Sequence, residues 1–289
     1  MGKGSDNIRY AQMKTVAGEY IPEVDIEYPV DDSASRVVKV RYDGREVEAL
    51  DEHYSYLDDS FSFKIQHLIN RIGMRLFLVP MNRLRYGLRI KGRENLKPFR
   101  RQFRSGAITV CNHVYRWDLV SVLTATGMHE TFFPILADHM RGKDAWFMRY
   151  AGGVPVPETR SGMRAFNQAF DAYHERGKWI HVFPEATSWR FYKPVRSFKK
   201  GAFTMAYRYG LPVIPCVISY RERTGIYSLW AKDEPLVTLN VGTPIFPDLS
   251  KPRKAETERI LKETHAQMVS MAGITHNPWP AEWTEAGEL

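Results

Sequence analysis

The stretch AITVCNHVYRWDLV, residues 107–120, passes from a short apolar run through a polar turn into a second apolar run. The first run predicts a buried β-strand that ends at Cys111, and Asp118 is placed to begin a helix. His113 lies in the turn, with four residues between it and Asp118. A strand followed by a turn and a helix is typical of α/β proteins, in which sites collect at the carboxyl ends of strands.

The rest of the chain alternates between strand and helix patterns. Apolar runs predict four more strands, at 132–136, 179–183, 213–219 and 236–241. Helical spacing predicts helices over 161–177 and roughly 253–272, and another helix opens at Gly201. Apolar strands that alternate with helices favour an α/β fold with a mixed, largely parallel sheet flanked by helices.

Residues 56–87 carry an N-terminal amphipathic pattern, in which apolar residues recur at helical spacing among basic residues. The apolar positions are Ile65, Leu68, Ile69, Ile72, Leu76 and Val79. Pro80 is expected to end the pattern. Such a stripe can lie on an anionic membrane surface. The alternative is an ordinary amphipathic helix whose apolar face packs on the core.

The composition indicates a globular protein of 289 residues, 44% of them apolar, with a formal net charge of +8. That excess suits nucleic acid, anionic lipid and phosphorylated small molecules equally well. Cys111 and Cys216 each lie in an apolar run, which predicts buried, reduced thiols and no disulfide. We expect neither a secretory signal nor a transmembrane helix, because no apolar segment has the required character.

Two further polar stretches follow predicted strands or extended segments. GGVPVPETRSG, residues 152–162, places Arg160 just before a helix, and WIHVFPEATSW, residues 179–189, places Glu185 and Thr187 after a strand. Arg190 and Lys193 follow, ahead of the helix that opens at Gly201. A basic loop that leads into a helix N-terminus suits phosphate binding. The alternative is a solvated run of charge.

The pair His113 and Asp118 could form a general base and its orienting acid. An imidazole can take a proton at neutral pH, and a carboxylate on its other nitrogen would fix the tautomer and stabilise the imidazolium. In the alternative reading, His113 is a turn residue and Asp118 only favours the helix N-terminus. Cys111 is a weaker candidate nucleophile, because a buried thiol stays protonated.

Taken together, these stretches resemble the glycerolipid acyltransferase family, whose bacterial members acylate lysophosphatidic acid. The matching blocks keep their order over roughly residues 88–246. They are 90–96 (IKGRENL), Asn112 and His113 with Asp118, 158–160 (ETR), 183–187 (FPEAT), 210–215 (GLPVIP) and 242–245 (GTPI).

The chain departs from the family pattern at three positions. Tyr115 stands where Ser is common, Ala186 replaces a Gly, and Ser188 replaces an Arg that is held to help bind the acceptor phosphate. We hypothesise that Arg190 or Lys193 substitutes for that arginine. The departures concern the acceptor more than the reaction.

The resemblance implies transfer of a fatty acyl group from acyl-CoA or acyl-carrier protein to a lysolipid hydroxyl, with 1-acylglycerol 3-phosphate as the leading acceptor. It implies His113 and Asp118 as catalytic residues. The expected substrate-binding residues are Arg160, Glu185, Thr187, Arg190 and Lys193. No metal ligand spacing and no nucleotide-binding loop is evident, so we expect no cofactor beyond the thioester.

The same reading divides the chain into an N-terminal appendage (1–55, with a small hairpin over 37–50), a membrane-approach helix (56–87), an acyltransferase domain (88–272) and a tail (273–289). We expect a peripheral protein on the cytoplasmic face of an anionic membrane. The alternatives are a different lipid acceptor, a catalytically silent scaffold and a basic nucleic-acid-binding protein. We expect no nucleic acid partner.

Overall fold

The computed structural model describes residues 22, 28, 50–140, 142–157, 159–229 and 234–281. Apart from Leu50, the hairpin expected over 37–50 lies outside these residues. The strands are β1 (Arg89–Lys91), β2 (Ile108–Cys111), β3 (Thr131–Ile135), β4 (Gly153–Pro155), β5 (Trp179–Val182), β6 (Val213–Arg221) and β7 (Leu236–Val241). The α-helices are α1 (Phe61–Gly73), α2 (Val79–Tyr86), α3 (Asp118–Thr126), α4 (Ala145–Tyr150), α5 (Arg160–Glu175), α6 (Gly201–Tyr209) and α7 (Arg253–Met271).

Within the described part of the chain these strands form one sheet in the order β1-β7-β6-β2-β5-β3-β4. Neighbouring strands are parallel except for β6 and β7, which are antiparallel. The predicted α/β fold with a mixed, largely parallel sheet is confirmed. Because β5 and β6 flank β2, the carboxyl ends of β2 and β5 lie side by side.

The five predicted strands are β2, β3, β5, β6 and β7, each within two residues of its expected bounds. The predicted helices correspond to α5, α6 and α7, and α3 begins at Asp118 as expected. The sequence did not predict β1 and indicated β4 only as part of an extended stretch. Each of these two strands has three residues, which is too short to show a period of two.

Apolar side chains cover both faces of the sheet, because alternate residues of a strand point to opposite sides. Ile108 of β2 packs in the cluster that contains Phe170 of α5 and Phe203 of α6. Cys111 belongs to a second cluster that contains Val122 of α3. Cys111 and its register partner Cys216 on β6 are both buried free thiols, as the sequence predicted.

The predicted amphipathic segment is helical over 61–86 and does not end at Pro80. A π-helical turn (Met74–Leu78) joins α1 to α2, and the Val79 N–H donates to the Met74 carbonyl across five residues. Pro80 lies in the first turn of α2, where its missing N–H is tolerated. The expectation that Pro80 ends the helical pattern was therefore wrong.

The apolar stripe of this segment faces away from the core. Its side chains on α1 and the π-helical turn are largely exposed, as Leu76 (61%) and Phe77 (72%) illustrate. Polar residues of the same helices, His67, Asn70 and Asn82, are buried instead. The alternative of an apolar face packed on the core does not hold for this stripe.

None of the helices within the described residues combines the length and the hydropathy needed to cross a membrane.

Candidate active site

His113 and Asp118 meet at the carboxyl end of β2. The chain leaves the strand at Cys111, and the turn that follows returns at the start of α3. This brings His113 Nδ1 to 2.6 Å from Asp118 Oδ2. Asp118 also accepts hydrogen bonds from the backbone N–H groups of Val114 (3.1 Å) and Leu119 (2.8 Å). The carboxylate is therefore held on both oxygens and orients the imidazole.

The His113 ring is 26% exposed, whereas the Asp118 side chain is 3% exposed. The ring stacks on Phe183, which follows β5, with the ring centroids 4.0 Å apart. With Nδ1 donating to the carboxylate, the neutral imidazole carries its lone pair on Nε2. Nε2 is thus the atom that can accept a proton from a bound molecule.

Two other histidines are electrostatically coupled to His113. His181 is fully buried, and its Nδ1 lies 2.8 Å from the Thr109 hydroxyl. Burial, with a smaller contribution from His113, lowers the pKa of His181 to about 3, so this ring stays neutral at neutral pH. Burial and His113 also lower the pKa of His139. Within the described part of the chain, neither of these two rings is hydrogen-bonded to a carboxylate as His113 is.

Asn112 fixes the strand end from which His113 projects. Its Oδ1 accepts from the Ile218 N–H (2.8 Å), and its Nδ2 donates to the Ile218 carbonyl (3.1 Å). The side-chain amide thus bonds to the backbone of β6 just beyond the β2–β6 pairing. Sequence reasoning gave Asn112 no role, although an amide placed directly after a buried strand is the signal for such a contact.

Glu185 lies below the surface, against the backbone of the His113 turn. Its carboxylate accepts hydrogen bonds from the His113 N–H (3.2 Å), the Arg196 N–H (2.9 Å) and the Arg196 guanidinium (3.3 Å). Burial raises the pKa of Glu185, while Arg196 and the two backbone donors oppose that rise. The structure brings Glu185 to the backbone of His113, with 1% of the residue exposed.

Thr187 lies in the same loop and contacts the same arginine. Its hydroxyl accepts from Arg196 Nη1 at 3.0 Å, and its carbonyl accepts from Arg196 Nη2. Ala186, which lies between Glu185 and Thr187, has a φ of 63°, in the left-handed region that favours glycine. Glycine, which the family usually has at this position, adopts such a φ without steric cost, whereas alanine does not.

The loop after Thr187 is bonded to the His113 turn through its backbone. The Trp189 N–H donates to the His113 carbonyl (2.9 Å), and the Phe191 N–H donates to the Val114 carbonyl (2.7 Å). These bonds join the loop after β5 to the loop after β2 at the residue that carries the imidazole.

The structure places the three remaining candidate residues elsewhere. Arg190 is ion-paired with Glu234 at 2.5 Å, and the Lys193 Nζ donates to the Ala272 carbonyl at 2.8 Å in a buried setting. Arg160 is exposed at the first position of α5, beyond β4, the third strand from β2. At about 4.8 Å per strand, β4 is roughly 14 Å from β2.

Cys111 lies beneath the turn and does not act as a reactive thiol in this arrangement. Burial raises the pKa of its thiol well above the ordinary value, and its Sγ lies 3.5 Å from Asn112 Oδ1 as a donor. A thiol held protonated in this way is a poor nucleophile. This arrangement does not favour Cys111 as a covalent nucleophile.

Part of the chain is similar in sequence to known proteins. Residues 87–219 match the family model described as Acyltransferase. Chloroplastic 1-acyl-sn-glycerol-3-phosphate acyltransferases from Arabidopsis thaliana and Brassica napus are 27% and 26% identical to this chain over 164 residues, which is 56% of this chain. The matched regions make up 43% and 44% of those two proteins, so this chain spans less than half of their length.

Among solved structures, the chain is similar to the 1-acyl-sn-glycerophosphate acyltransferase PlsC from Thermotoga maritima. The TM-score is 0.41 at 21% sequence identity, over 73% of this chain and 84% of that chain. The family model, and not this structural match, confirms the resemblance that the sequence blocks indicated. Residues 87–219 form a domain of the acyltransferase family.

Proposed function

We propose that the protein transfers a fatty acyl group from an acyl thioester, acyl-CoA or acyl-carrier protein, to the hydroxyl group of a lysolipid, with 1-acylglycerol 3-phosphate as the acceptor. The observation that carries the proposal is the 2.6 Å contact between His113 Nδ1 and Asp118 Oδ2, with the imidazole partly exposed and the carboxylate buried. The plant relatives, which are named for this acceptor, support the choice of substrate.

In the proposed reaction, His113 Nε2 removes the proton from the acceptor hydroxyl as its oxygen attacks the thioester carbonyl. Asp118 stabilises the imidazolium that forms. The tetrahedral intermediate then collapses, the carbon–sulfur bond breaks, and the thiolate takes the proton from the imidazolium. A positioned base of this kind typically contributes about 10²–10⁴-fold in rate. A thioester needs no metal for this step.

The oxyanion of the intermediate needs hydrogen-bond donors. The Val114 N–H already donates to Asp118, so we assign this role to N–H groups later in the turn, over residues 115–117. They lie at the N-terminal end of α3, where the helix dipole also favours negative charge.

We further propose that the protein docks peripherally on the cytoplasmic face of a membrane through the segment 61–86. The support is the row of exposed apolar side chains on this segment. They are Phe61, Ile65, Leu68, Ile69, Ile72, Leu76, Phe77 and Leu84. Lys64, Arg75 and Arg83 on the same segment suit anionic lipids of that leaflet. Docking would deliver a lysolipid acceptor directly from the bilayer.

A second acceptor class, a lysolipid or amino-lipid without a terminal phosphate, is favoured by one observation. Ser188 stands where the family has its phosphate-binding arginine, and both proposed substitutes already have partners: Arg190 contacts Glu234, and Lys193 contacts the Ala272 carbonyl. Arg160 then remains the exposed candidate for a phosphate contact. Replacing Arg160 by Ala should raise the KM for a phosphorylated acceptor and leave other acceptors unchanged.

The function is tested by an assay of thioester consumption over a panel of lysolipids, with the mass of each product measured. We expect turnover with 1-acylglycerol 3-phosphate and its loss in His113→Ala, with the fold intact by circular dichroism. A folded His113→Ala protein with undiminished turnover would remove His113 as the base. Turnover with none of the lysolipids would refute the proposed reaction.

A further inference from the structure

Arg196 is a completely buried arginine next to the site, which makes it unusual among the charged side chains described. Its guanidinium contacts the Glu185 carboxylate at 3.3 Å, contacts both oxygens of Thr187, and lies over the Trp189 ring at 4.3 Å. Both members of the ion pair are at most 1% exposed. Arg196 is therefore out of reach of a substrate head group in this conformation.

Such a pair contributes little net stability. Removing two charges from water is costly, and a well-packed apolar pair often stabilises a protein as well or better. An arginine at this position is therefore better explained by what its partner touches. Glu185 accepts one hydrogen bond from the backbone of Arg196 and another from the backbone N–H of His113. The pair links residue 196 directly to the residue that carries the base.

The backbone on either side of Arg196 is itself held by the C-terminal segment, residues 273–281. The Asn277 side chain accepts from the Val195 N–H (3.1 Å) and donates to the Val195 carbonyl (2.7 Å). On the other side, the Ser197 hydroxyl donates to the Pro280 carbonyl (3.0 Å). The sequence reading assigned this segment to a tail without a role.

The same segment reaches the aromatic residues that surround the loop. Trp279 Nε1 donates to the Tyr192 hydroxyl at 3.1 Å, and Trp279 packs edge-on against Trp189. The backbone N–H of Trp189 in turn donates to the His113 carbonyl. Two routes of contact, through Arg196 and through Trp189, thus lead from the C-terminal segment to His113.

We propose that Arg196 is a positioning residue for His113 that acts through Glu185, and that Asn277 of the C-terminal segment holds Arg196 in place. The inference rests on the proposed function, since it assigns these residues to the orientation of the proposed base. The loop cation that the family carries at position 188 is absent here, and the arginine eight residues later turns inward.

The first test replaces Asn277 by Ala in the full chain, with His276→Ala, an exposed neighbour, as the matched control. We expect kcat to fall by about 10- to 100-fold, because small displacements of a catalytic group have effects of this size. The KM for the acyl thioester should change less than about twofold. The imidazole NMR resonances of His113 should move in Asn277→Ala and stay in place in His276→Ala.

The second test addresses Arg196 itself. Arg196→Lys keeps the charge but loses the planar contacts to Glu185 and Thr187. Because Arg196→Met alone would leave Glu185 charged and buried without a partner, it is combined with Glu185→Gln, which removes both charges together. We expect both variants to fold, with kcat lowered about tenfold or more and the His113 resonances displaced.

The outcomes separate a positioning role from a structural one. Variants that are less stable but keep the wild-type kcat below their melting temperature, with unmoved His113 resonances, would overturn the proposal. The NMR readout needs no substrate. An inactive wild-type protein in which Asn277→Ala still displaces the His113 resonances would therefore refute the proposed function and leave the assignment of Arg196 and Asn277 standing.

Discussion

Replacing Asp118 by Asn removes the negative charge beside His113 while the side chain keeps its size. In either orientation of the new amide, one of the contacts made by the carboxylate is lost. If the amide nitrogen points toward His113, it meets the Val114 N–H, which now donates to Asp118 Oδ2. If the amide nitrogen points away from His113, it meets the Leu119 N–H, which now donates to Asp118 Oδ1. In both cases the imidazolium has no counter-charge at 2.6 Å from Nδ1.

The loss can be estimated from the geometry. Two unit charges centred about 4 Å apart attract by about 4 kcal/mol at an effective dielectric constant of about 20. The imidazolium exists only after proton transfer, so this energy is removed from the transition state and not from the ground state. At about 1.4 kcal/mol for each factor of ten, kcat should fall about 10³-fold, with little change in KM.

The assay follows the thiol released from an acyl thioester in the presence of 1-acylglycerol 3-phosphate. Asp171→Asn, which breaks an ion pair with Arg208 on α6, is a control in which kcat should stay at the wild-type value. A folded Asp118→Asn protein whose kcat lies within about threefold of wild type would show that the carboxylate does not support the base.

Three more predictions concern binding and stability. Leu76→Asp should weaken flotation with anionic liposomes at least tenfold, since burying one such side chain contributes about 1.5–3 kcal/mol. Leu249→Asp, which changes another exposed leucine, should leave flotation unchanged. Equal flotation of the two variants would exclude docking through the segment 61–86. Tyr115→Phe leaves the buried Asn82 amide without its phenol partner and should cost about 1–3 kcal/mol in the free energy of unfolding, seen in urea titrations. His181 has a folded pKa of about 3, below its unfolded value, so the folded state binds fewer protons and stability should fall as the pH drops from about 6.5 toward 3. A weaker loss of stability in His181→Gln over that range would identify His181 as the source, and an equal loss would exclude it.

The sequence was sufficient wherever the interaction was local. His113 and Asp118 are separated by one turn of chain, so their spacing alone brought the two side chains together once β2 and α3 were recognised. The strand itself could be recognised because β2 is buried on both faces and is therefore apolar throughout.

The partners of the basic residues could not be predicted, because they depend on contacts between distant parts of the chain. The basic loop that begins at Arg190 and leads to the helix at Gly201 suggested a phosphate site, yet within it Lys193 reaches Ala272 and Arg196 reaches Glu185. A cation has the same sequence signature whether it faces solvent or a buried carboxylate. Only the path of the loop after β5 and the position of the C-terminal segment distinguish the two cases.

The orientation of the segment 61–86 was also beyond the sequence. An amphipathic pattern gives two faces but does not say which one meets the core. Here the inward face is the one with His67 and Asn82, because each finds a partner: His67 Nδ1 lies 2.9 Å from the Tyr150 carbonyl, and Asn82 bonds to Tyr115. These contacts lower the cost of burying the two polar side chains.

The two buried thiols on β2 and β6 have a practical consequence for enzymology. Cys111 and Cys216 are the only cysteines of the chain, and both lie under the sheet's helical cover. A thiol reagent added to detect the thiol released from an acyl thioester should therefore give almost no background signal from the native protein. In the absence of substrate, the rate of reaction with the same reagent measures spontaneous opening of the native structure, since modification of either sulfur requires its cover to move away.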